Sequence, residues 1–145
     1  MNQLDQDRAA VKRAVDGYTD ALNHREWEKL QGFFLPDATW STTNFRTFGF
    51  KGADGIANGL RAVVDPMTIL VQLPTATVID IDGDSATARS SVQELGKHDA
   101  GSFFCLGSYA DRLRRDGDRW RFVSRAFTYF YWEEDGLTGE AFRWS

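Results

Sequence analysis

The spacing of apolar residues changes once along this chain, from the helical period to the strand period, and the change falls near Pro66. Before it, apolar side chains recur at the three-and-four spacing of a helix face, and after it they follow a two-residue alternation. The first part predicts helices over 5–23, 27–34 and 52–64, and short strands over 38–43 and 47–51. The second part predicts long strands over 67–81, 85–97, 102–115 and 119–132. This order predicts one α+β domain over the 145 residues.

The connections between the four long strands are short and rich in Asp and Gly. They are Asp82-Gly83-Asp84, His98-Asp99-Ala100-Gly101 and Asp116-Gly117, all typical of hairpin turns. Strands joined by hairpins pair in the antiparallel sense, so the sheet is predicted to be mostly antiparallel. Pro74 lies inside the first long run and has no amide hydrogen, which predicts an edge strand or a bulge there.

Charge and cysteine content narrow the classes of function. The net charge is −4 and the calculated isoelectric point is about 5.1, without a run of basic residues, which argues against nucleic-acid binding and against a membrane-surface helix. Cys105 is the single cysteine, so no internal disulfide can form, and the two histidines are not spaced as metal ligands. We therefore expect no metal or other cofactor, and a hydrophobic small molecule as the partner. The sequence shows no signal-peptide pattern and no apolar run long enough to span a membrane, which predicts a cytoplasmic protein.

The two-residue alternation also predicts which strand side chains share a face. In the run 85–97, small or apolar residues lead up to a carboxylate on one face, which is predicted to point inward: Ala86, Ala88, Ser90, Val92 and Glu94. Burial there would raise the pKa of the Glu94 carboxyl. The alternative is a glutamate at the rim, paired with Lys97 or an arginine. The next two strands offer the faces Phe103, Cys105, Gly107, Tyr109, Asp111 and Arg125, Phe127, Tyr129, Tyr131.

Segments spread over residues 5–132 resemble one known family. They are Tyr18 with Asp20-Ala21-Leu22, Glu26-Trp27-Glu28-Lys29-Leu30, Phe33-Phe34-Leu35-Pro36-Asp37-Ala38-Thr39-Trp40, Ile81-Asp82-Gly83-Asp84-Ser85-Ala86, Gly107-Ser108-Tyr109-Ala110-Asp111 and Arg114-Arg115-Asp116-Gly117-Asp118-Arg119-Trp120. Together they are similar to the SnoaL-like branch of the nuclear transport factor 2-like, or cystatin-like α+β, superfamily. The resemblance implies three N-terminal helices packed on a strongly curved, mostly antiparallel sheet, forming a cone with an internal pocket. It also implies that the faces of Tyr109 and Arg125 reach that pocket.

Members of this superfamily include polyketide cyclases, scytalone dehydratase and hexachlorocyclohexane dehydrochlorinase, which transfer protons in a dry pocket without a cofactor. In one of their patterns the base is an aspartate after the first helix with a histidine early in the first long strand, and the matching residues here are Asn23 and Gln72. In the pattern of ketosteroid isomerase, another member, an oxyanion-binding tyrosine matches Tyr18, and the place of the catalytic aspartate falls near Thr42. Carboxamides do not exchange protons near neutral pH, so Glu94 becomes the candidate proton carrier.

The candidate catalytic residues are therefore Tyr18, Asn23, Gln72, Glu94, Tyr109 and Arg125. The candidate substrate-binding residues are Leu22, Phe34, Trp40, Phe48, Val92, Phe103, Cys105, Phe127 and Tyr129. Some have structural alternatives: Arg125 either binds an anionic group or forms a salt bridge with Asp111, and Tyr18 and the aromatic residues are either pocket wall or core. Cys105 is predicted to be an inert thiol, and neither histidine is expected in the pocket.

The predicted function is a cofactor-independent enzyme that acts on a polyketide-like or aromatic small molecule by cyclisation, dehydration or isomerisation. The alternative is a non-catalytic protein on the same scaffold, which binds a small molecule or assembles with other subunits. An epoxide hydrolase would need an Asp–Arg–Asp arrangement that the sequence does not show. The resemblance also implies a homodimer through the outer face of the sheet, near Arg89 and Gln93. The aromatic residues of the tail, Phe142 and Trp144, are expected to dock on the body or on a second subunit.

Overall fold

Three helices cover one face of the protein in the computed structural model, which describes residues 1–143. They are α1 (Gln3–Asn23), α2 (Trp27–Gln31) and α3 (Ala53–Val64). Helix α1 begins after Asn2, whose side-chain oxygen accepts a hydrogen bond of 2.8 Å from the Asp5 N–H. The buried stripe of α1 contains the apolar positions that the sequence predicts, Val11, Ala14, Val15, Tyr18, Ala21 and Leu22. The helical period was therefore a sound guide to the face that packs.

Within residues 1–143, six strands form one curved, unclosed sheet. They are β1 (Phe34–Thr43), β2 (Gly49–Lys51), β3 (Ile69–Asp82), β4 (Ser85–His98), β5 (Gly101–Asp116) and β6 (Arg119–Glu134), in the spatial order β2-β1-β6-β5-β4-β3. All neighbours are antiparallel except β1 and β6, which run parallel. The predicted α+β class with helices on a curved, mostly antiparallel sheet is confirmed.

The second helix is shorter than its sequence pattern predicts. Phe34 was expected to continue the helical stripe, but it is the first residue of β1 and lies opposite Phe122. The Phe122 N–H donates a hydrogen bond of 2.8 Å to the Phe33 carbonyl, so sheet pairing has replaced the helical turn at this point. The side chain of Phe34 is buried in the core against the rings of Tyr18 and Phe122.

The strand pairing is irregular at four places, and two of them bear on the predictions made from the sequence. One lies between Pro74 and Thr77 on the edge strand β3, where a bulge was predicted. The other lies in the pairing of β5 with β6. Gly107 is opposite Tyr129 and Leu106 is opposite Tyr131, so Phe130 is an extra residue on β6. The extra residue reverses the alternation beyond it. Tyr131 was predicted on the inner face with Tyr129, and this is wrong, because Tyr131 is exposed and its pKa is raised by a hydrogen bond to Glu133.

The far end of α1 is fixed to the sheet by an ion pair. The Arg115 guanidinium donates to both oxygens of the buried Asp7 carboxylate, at 2.9 and 2.8 Å, and also to Asp84 at 2.8 Å. The hydrogen bonds from Arg115 lower the pKa of the Asp7 carboxyl. This contact lies at the opposite end of α1 from Asn23 and orients the helix over the sheet.

Gly107 leaves room for an aromatic ring beside the bulge. A Cβ atom at this position would lie 2.3 Å from Cζ of Phe127 and 2.6 Å from the carbonyl oxygen of Thr128. We expect Gly107→Ala to lower the free energy of unfolding by about 1–3 kcal/mol, because either the ring or the β6 backbone must move. Urea unfolding measures this, with Gly83→Asn as a control for substitution at a turn glycine with φ of 62° and open space around it. An unchanged midpoint for Gly107→Ala would contradict the predicted clash.

The tail after β6 returns across the body through polar contacts. Lys97 Nζ donates to the Leu137 carbonyl at 3.2 Å, and Arg143 Nη1 donates to the Met67 carbonyl at 2.8 Å. Phe142 is exposed, so it does not dock on the body of this chain, and Trp144 lies outside the described residues. Docking of Phe142 on a second subunit stays a prediction. Among residues 1–143 there is no helix of the length and hydropathy that crossing a membrane requires. The cytoplasmic location stays a prediction.

Candidate active site in the internal cavity

A cavity of about 540 Å³ lies between α1, α3 and the inner face of the sheet. Pockets of roughly 300–1,000 Å³ accommodate drug-sized ligands. Helices α1 and α3 contribute Tyr18, Leu22, Leu60, Val63 and Val64 to the lining. The strands and loops contribute Trp40, Thr42, Arg46, Phe48, Met67, Leu70, Gln72, Glu94, His98, Ala100, Gly101, Ser102, Phe103, Tyr109, Phe127, Tyr129, Trp132, Glu134 and Asp135. The wall is mainly apolar and aromatic, so it suits a hydrophobic ligand.

A chain of hydrogen bonds crosses one end of this cavity, which we call the floor (Tyr18, Trp40, Gln72, Glu94 and Tyr109). Trp40 Nε1 donates to the Tyr18 hydroxyl at 3.1 Å, and the hydroxyls of Tyr18 and Tyr109 are 3.2 Å apart. Gln72 Nε2 donates to the Tyr109 hydroxyl at 3.0 Å and to Glu94 Oε2 at 2.6 Å. Burial raises the pKa of both tyrosines, so the phenols stay protonated. Four of the six predicted catalytic residues, Tyr18, Gln72, Glu94 and Tyr109, therefore meet in one network.

Glu94 is a cavity carboxyl without a cationic partner in the described chain. The predicted inner face of β4 is confirmed, since Ala86, Ala88, Ser90 and Val92 are buried in alternation. The rim alternative is wrong, because Lys97 donates to tail carbonyls and the ion pairs among residues 1–143 do not include Glu94. Burial raises the pKa of Glu94, and the hydrogen bond from Gln72 opposes that rise. A carboxyl in this setting can accept and return a proton near neutral pH more readily than a solvated one.

Cys105 lies behind Glu94 rather than in the cavity lining. Its Sγ donates to Glu94 Oε1 at 3.6 Å, and the side chain is fully buried. Burial, together with the charge of Glu94, raises the pKa of the Cys105 thiol. A thiol that resists ionisation is a poor nucleophile, which agrees with the prediction of an inert cysteine.

Asn23 does not line the cavity, although it was predicted as a catalytic residue. Its side-chain nitrogen donates to the Gln72 carbonyl at 3.0 Å, and its side-chain oxygen accepts from the Gln72 N–H at 2.9 Å. Both ends of the carboxamide are therefore engaged with the backbone of β3. Direct contact between Asn23 and a ligand in the cavity is not supported by this arrangement.

Arg125 lies beneath the floor and forms the ion pair that was its structural alternative. Its Nε and Nη2 atoms donate to the two carboxylate oxygens of Asp111 at 2.8 and 3.1 Å, and both side chains are almost completely buried. The guanidinium carbon is 3.7 Å from the ring centroid of Tyr109 and 4.3 Å from that of Tyr18. Arg125 is absent from the lining, so its charge acts from behind the phenols.

The predicted substrate-binding residues divide into wall and core. Leu22, Trp40, Phe48, Phe103, Phe127 and Tyr129 line the cavity. Phe34, Val92 and Cys105 are buried outside the lining and belong to the core. Phe34 lies in the core because it starts β1, whereas Val92 and Cys105 lie on the inner face of the sheet but do not reach the cavity.

The other end of the cavity, which we call the mouth, contains residues that the sequence did not single out. Arg46 Nη2 donates to Glu134 Oε1 at 3.1 Å and lies over the ring of Trp132 at 4.6 Å. Trp132 and Glu134 face inward because of the bulge before them. His98 also lines the cavity, so the expectation that no imidazole reaches it is wrong. His98 follows Glu94 by four residues on β4, so the two-residue alternation places both on the same face. This pattern could have identified His98 from the sequence.

A metal centre has no support in the described part of the chain. Among residues 1–143 no three His, Cys, Asp or Glu side chains are grouped so that they could hold a metal ion. What the floor offers instead is hydrogen-bond donors and one carboxyl.

Comparison with solved structures finds the same fold in several bacterial proteins. A protein provisionally named scytalone dehydratase from Novosphingobium aromaticivorans is 20% identical, with a TM-score of 0.79, 94% of this chain covered and 92% of that one. The hexachlorocyclohexane dehydrochlorinase LinA-type3 of Novosphingobium barchaimii is also 20% identical, with a TM-score of 0.80 and coverage of 94% and 93%. A protein of N. aromaticivorans described as NTF2-like with a cystatin-like fold is 19% identical, with a TM-score of 0.75 and coverage of 94% and 87%.

Sequence comparison gives a more specific assignment. No curated protein matches the chain significantly. The family model of the SnoaL-like domain, in contrast, matches residues 5–126, from the first turns of α1 into β6. This range includes Tyr18, Gln72, Glu94 and Tyr109 of the floor. The chain therefore belongs to the SnoaL-like domain family.

Proposed function

We propose that this protein is a cofactor-independent enzyme that converts a hydrophobic carbonyl compound of polyketide-like or aromatic character by proton transfer within the cavity. The observation that carries the proposal is Glu94, a carboxyl without a cationic partner at the end of a mainly apolar cavity. Gln72 connects it to a pair of phenols. A carboxyl placed only for stability is usually paired with a cation.

A count of hydrogens on the floor supports a carbonyl oxygen as the group bound there. Trp40 donates an N–H to the Tyr18 oxygen, and Gln72 donates an N–H to the Tyr109 oxygen. Only one hydrogen can lie between the oxygens of Tyr18 and Tyr109. One phenolic O–H is then left over. When Tyr18 donates to Tyr109, the leftover O–H is that of Tyr109, which can turn to the weak 3.4 Å contact with Gln72 Oε1 or to a ligand in the cavity. A substrate oxygen that gains negative charge would be stabilised by this donor.

The proposed first step is removal of a proton from the carbon next to that carbonyl. The Glu94 carboxylate takes the proton, the electron pair of the C–H bond forms the enolate, and the leftover phenolic O–H donates a hydrogen bond to the enolate oxygen. Glu94 then returns the proton, to a different carbon in an isomerisation or to a departing hydroxyl in a dehydration. In a cyclisation the enolate carbon attacks a second carbonyl, and the proton goes to the new alkoxide.

The known relatives are consistent with this class of reaction. Scytalone dehydratase and hexachlorocyclohexane dehydrochlorinase are both named for eliminations, in which a proton and a leaving group depart from neighbouring carbons. The competing proposal is a binding protein, and it is favoured by Asn23 and Gln72, which cannot ionise. Turnover of hydrophobic β-hydroxy ketones and polyketones by the purified protein, with Glu94→Gln as the comparison, separates the two.

The pH dependence of turnover tests the role of Glu94 as base. Burial holds the pKa of Glu94 above the ordinary value of 4.5, so a higher pH is needed to form the carboxylate. We expect kcat/KM to increase with pH through a midpoint above 4.5, since the base must be unprotonated to act. A rate that is constant from pH 4 to pH 8, or a midpoint that persists in Glu94→Gln, would contradict this role.

We also propose that the protein forms a homodimer through the outer face of the sheet. Leu73, Leu106, Phe130 and Tyr131 are exposed. Leu73 and Leu106 both lie opposite Gln93, and Leu106 lies opposite Tyr131, so these side chains form one row across the sheet. Exposed apolar residues that cluster are typical of contact surfaces between proteins. Analytical ultracentrifugation of the wild type and of Leu106→Lys is the direct test, and a monomeric wild type would refute the dimer.

A further inference from the structure

The backbone of Gln72 is bound by a side chain instead of a neighbouring strand. Strand β3 is an edge of the sheet, and the N–H and C=O groups of Gln72 point away from β4. The carboxamide of Asn23 meets both of them, accepting from the N–H at 2.9 Å and donating to the carbonyl at 3.0 Å. Asn23 thus supplies the pair of bonds that another strand would give.

This contact fixes how Gln72 faces β4. Gln72 and Glu94 are directly opposite in the antiparallel ladder. Because the N–H and C=O of Gln72 bond to Asn23, the two residues form a pair without mutual backbone hydrogen bonds. In such pairs the Cα atoms are about 4.5 Å apart and the side chains are closer than in the hydrogen-bonded pairs. The short contact of 2.6 Å between Gln72 Nε2 and Glu94 Oε2 follows from this register.

The contact requires a carboxamide. A carboxylate at position 23 could accept from the Gln72 N–H, but it has no hydrogen to donate to the Gln72 carbonyl. The same pair of bonds recurs on the other side of the cavity, where the Asn44 side chain accepts from the Tyr129 N–H at 2.9 Å and donates to the Tyr129 carbonyl at 2.8 Å. In both places an asparagine holds the backbone of a residue that lines the cavity.

We propose that Asn23 is a positioning residue, which acts through the backbone of Gln72 to hold the Gln72 side chain against Glu94 and Tyr109. The importance of this for catalysis rests on the proposed function, in which Glu94 is the base. Asn23 itself touches neither the cavity nor the reacting atoms. Its role is to keep Gln72 Nε2 hydrogen-bonded to the Glu94 carboxylate.

The test is a double-mutant cycle read at Glu94 and needs no substrate. The pKa of the Glu94 side chain is followed by carbon-13 NMR in the wild type, Asn23→Ala, Gln72→Leu and the double variant, with Glu94→Gln to assign the signal. The bond from Gln72 lowers the pKa of Glu94, so we expect both single variants to raise it. If Asn23 acts through Gln72, the double variant has the same pKa as Gln72→Leu alone.

Amide hydrogen exchange supplies a second measurement. We expect the Gln72 N–H to exchange about fivefold to tenfold faster in Asn23→Ala, which corresponds to loss of one ordinary hydrogen bond. Asp7→Asn is the matched control, because it loosens α1 at its other end without contact to Gln72. Asn23→Ser replaces Asn23→Ala if the alanine variant does not fold.

The proposal fails if Asn23→Ala leaves the pKa of Glu94 unchanged, lowers it, or shifts it equally with and without Gln72. It also fails if Asp7→Asn produces the same shift, since the effect would then be general loosening of α1. These results are independent of turnover. If Glu94→Gln remained fully active while the cycle behaved as expected, the positioning role would stand and the proposed function would not.

Discussion

Replacing Glu94 by glutamine is expected to lower kcat for a hydrophobic carbonyl substrate by about 10²- to 10⁴-fold, the range typical of loss of a general acid–base group. Glutamine keeps the size of the side chain and can still accept a hydrogen bond from Gln72, but it cannot take a proton. Binding should therefore persist. Trp40 and Trp132 line the cavity, so a bound ligand should quench their fluorescence. This quenching measures the dissociation constant separately from the rate.

The stability of the same variant distinguishes lost chemistry from lost structure. Because burial raises the pKa of Glu94, the folded protein favours the protonated carboxyl, and the stability that Glu94 confers falls as pH rises from the unfolded to the folded pKa. Glu94→Gln removes this penalty, so its urea midpoint at pH 7 should equal or exceed that of the wild type. Glu133 is exposed and does not line the cavity, so Glu133→Gln should change neither rate nor binding. If Glu94→Gln were both inactive and unfolded, its rate loss would not identify Glu94 as the base. If it were folded and fully active, Glu94 would not be the base.

Replacing Asp111 by alanine is expected to lower the free energy of unfolding by about 3–5 kcal/mol, the largest stability effect that we predict for a single substitution. It leaves the Arg125 guanidinium fully buried without its carboxylate, among the rings of Tyr18, Tyr109 and Phe122. A domain of this kind has a total stability of about 5–15 kcal/mol. The variant should therefore be at the limit of folding. Urea unfolding followed by circular dichroism measures the change.

Two comparisons make this prediction specific to a buried pair. Asp16→Ala removes the acidic partner of Lys12 in an exposed ion pair of similar length, 2.8 Å, and should cost less than about 1 kcal/mol. Asp111→Leu combined with Arg125→Met replaces both charges by apolar groups and should recover much of the loss, because no unpaired charge remains. If Asp111→Ala cost no more than Asp16→Ala, the buried pair would not contribute as the geometry indicates.

The local pattern of the sequence accounts for most of the architecture. The apolar stripe of α1, the alternation along β4 and the Asp–Gly turns depend on neighbours within a few residues, and each of them is found where it was predicted. The same alternation placed Glu94 on the inner face. Extended to residue 98, the alternation also places His98 on that face. It was not extended, because residues 98–101 were assigned to a turn.

What the tertiary structure decided depends on contacts between distant segments. Sheet pairing with Phe122 took Phe34 out of a helix, and one extra residue near Tyr129 turned Tyr131 outward. Likewise, Asn23 was assigned to catalysis by its position, yet it binds a backbone 49 residues away.

The sequence by itself determined the α+β fold and the inward carboxyl, because hydrophobic periodicity and turn chemistry act over short distances. Only the tertiary structure decided which polar groups meet at the cavity floor, since the partners of Asn23, Gln72 and Arg125 are set by register and packing between strands and helices.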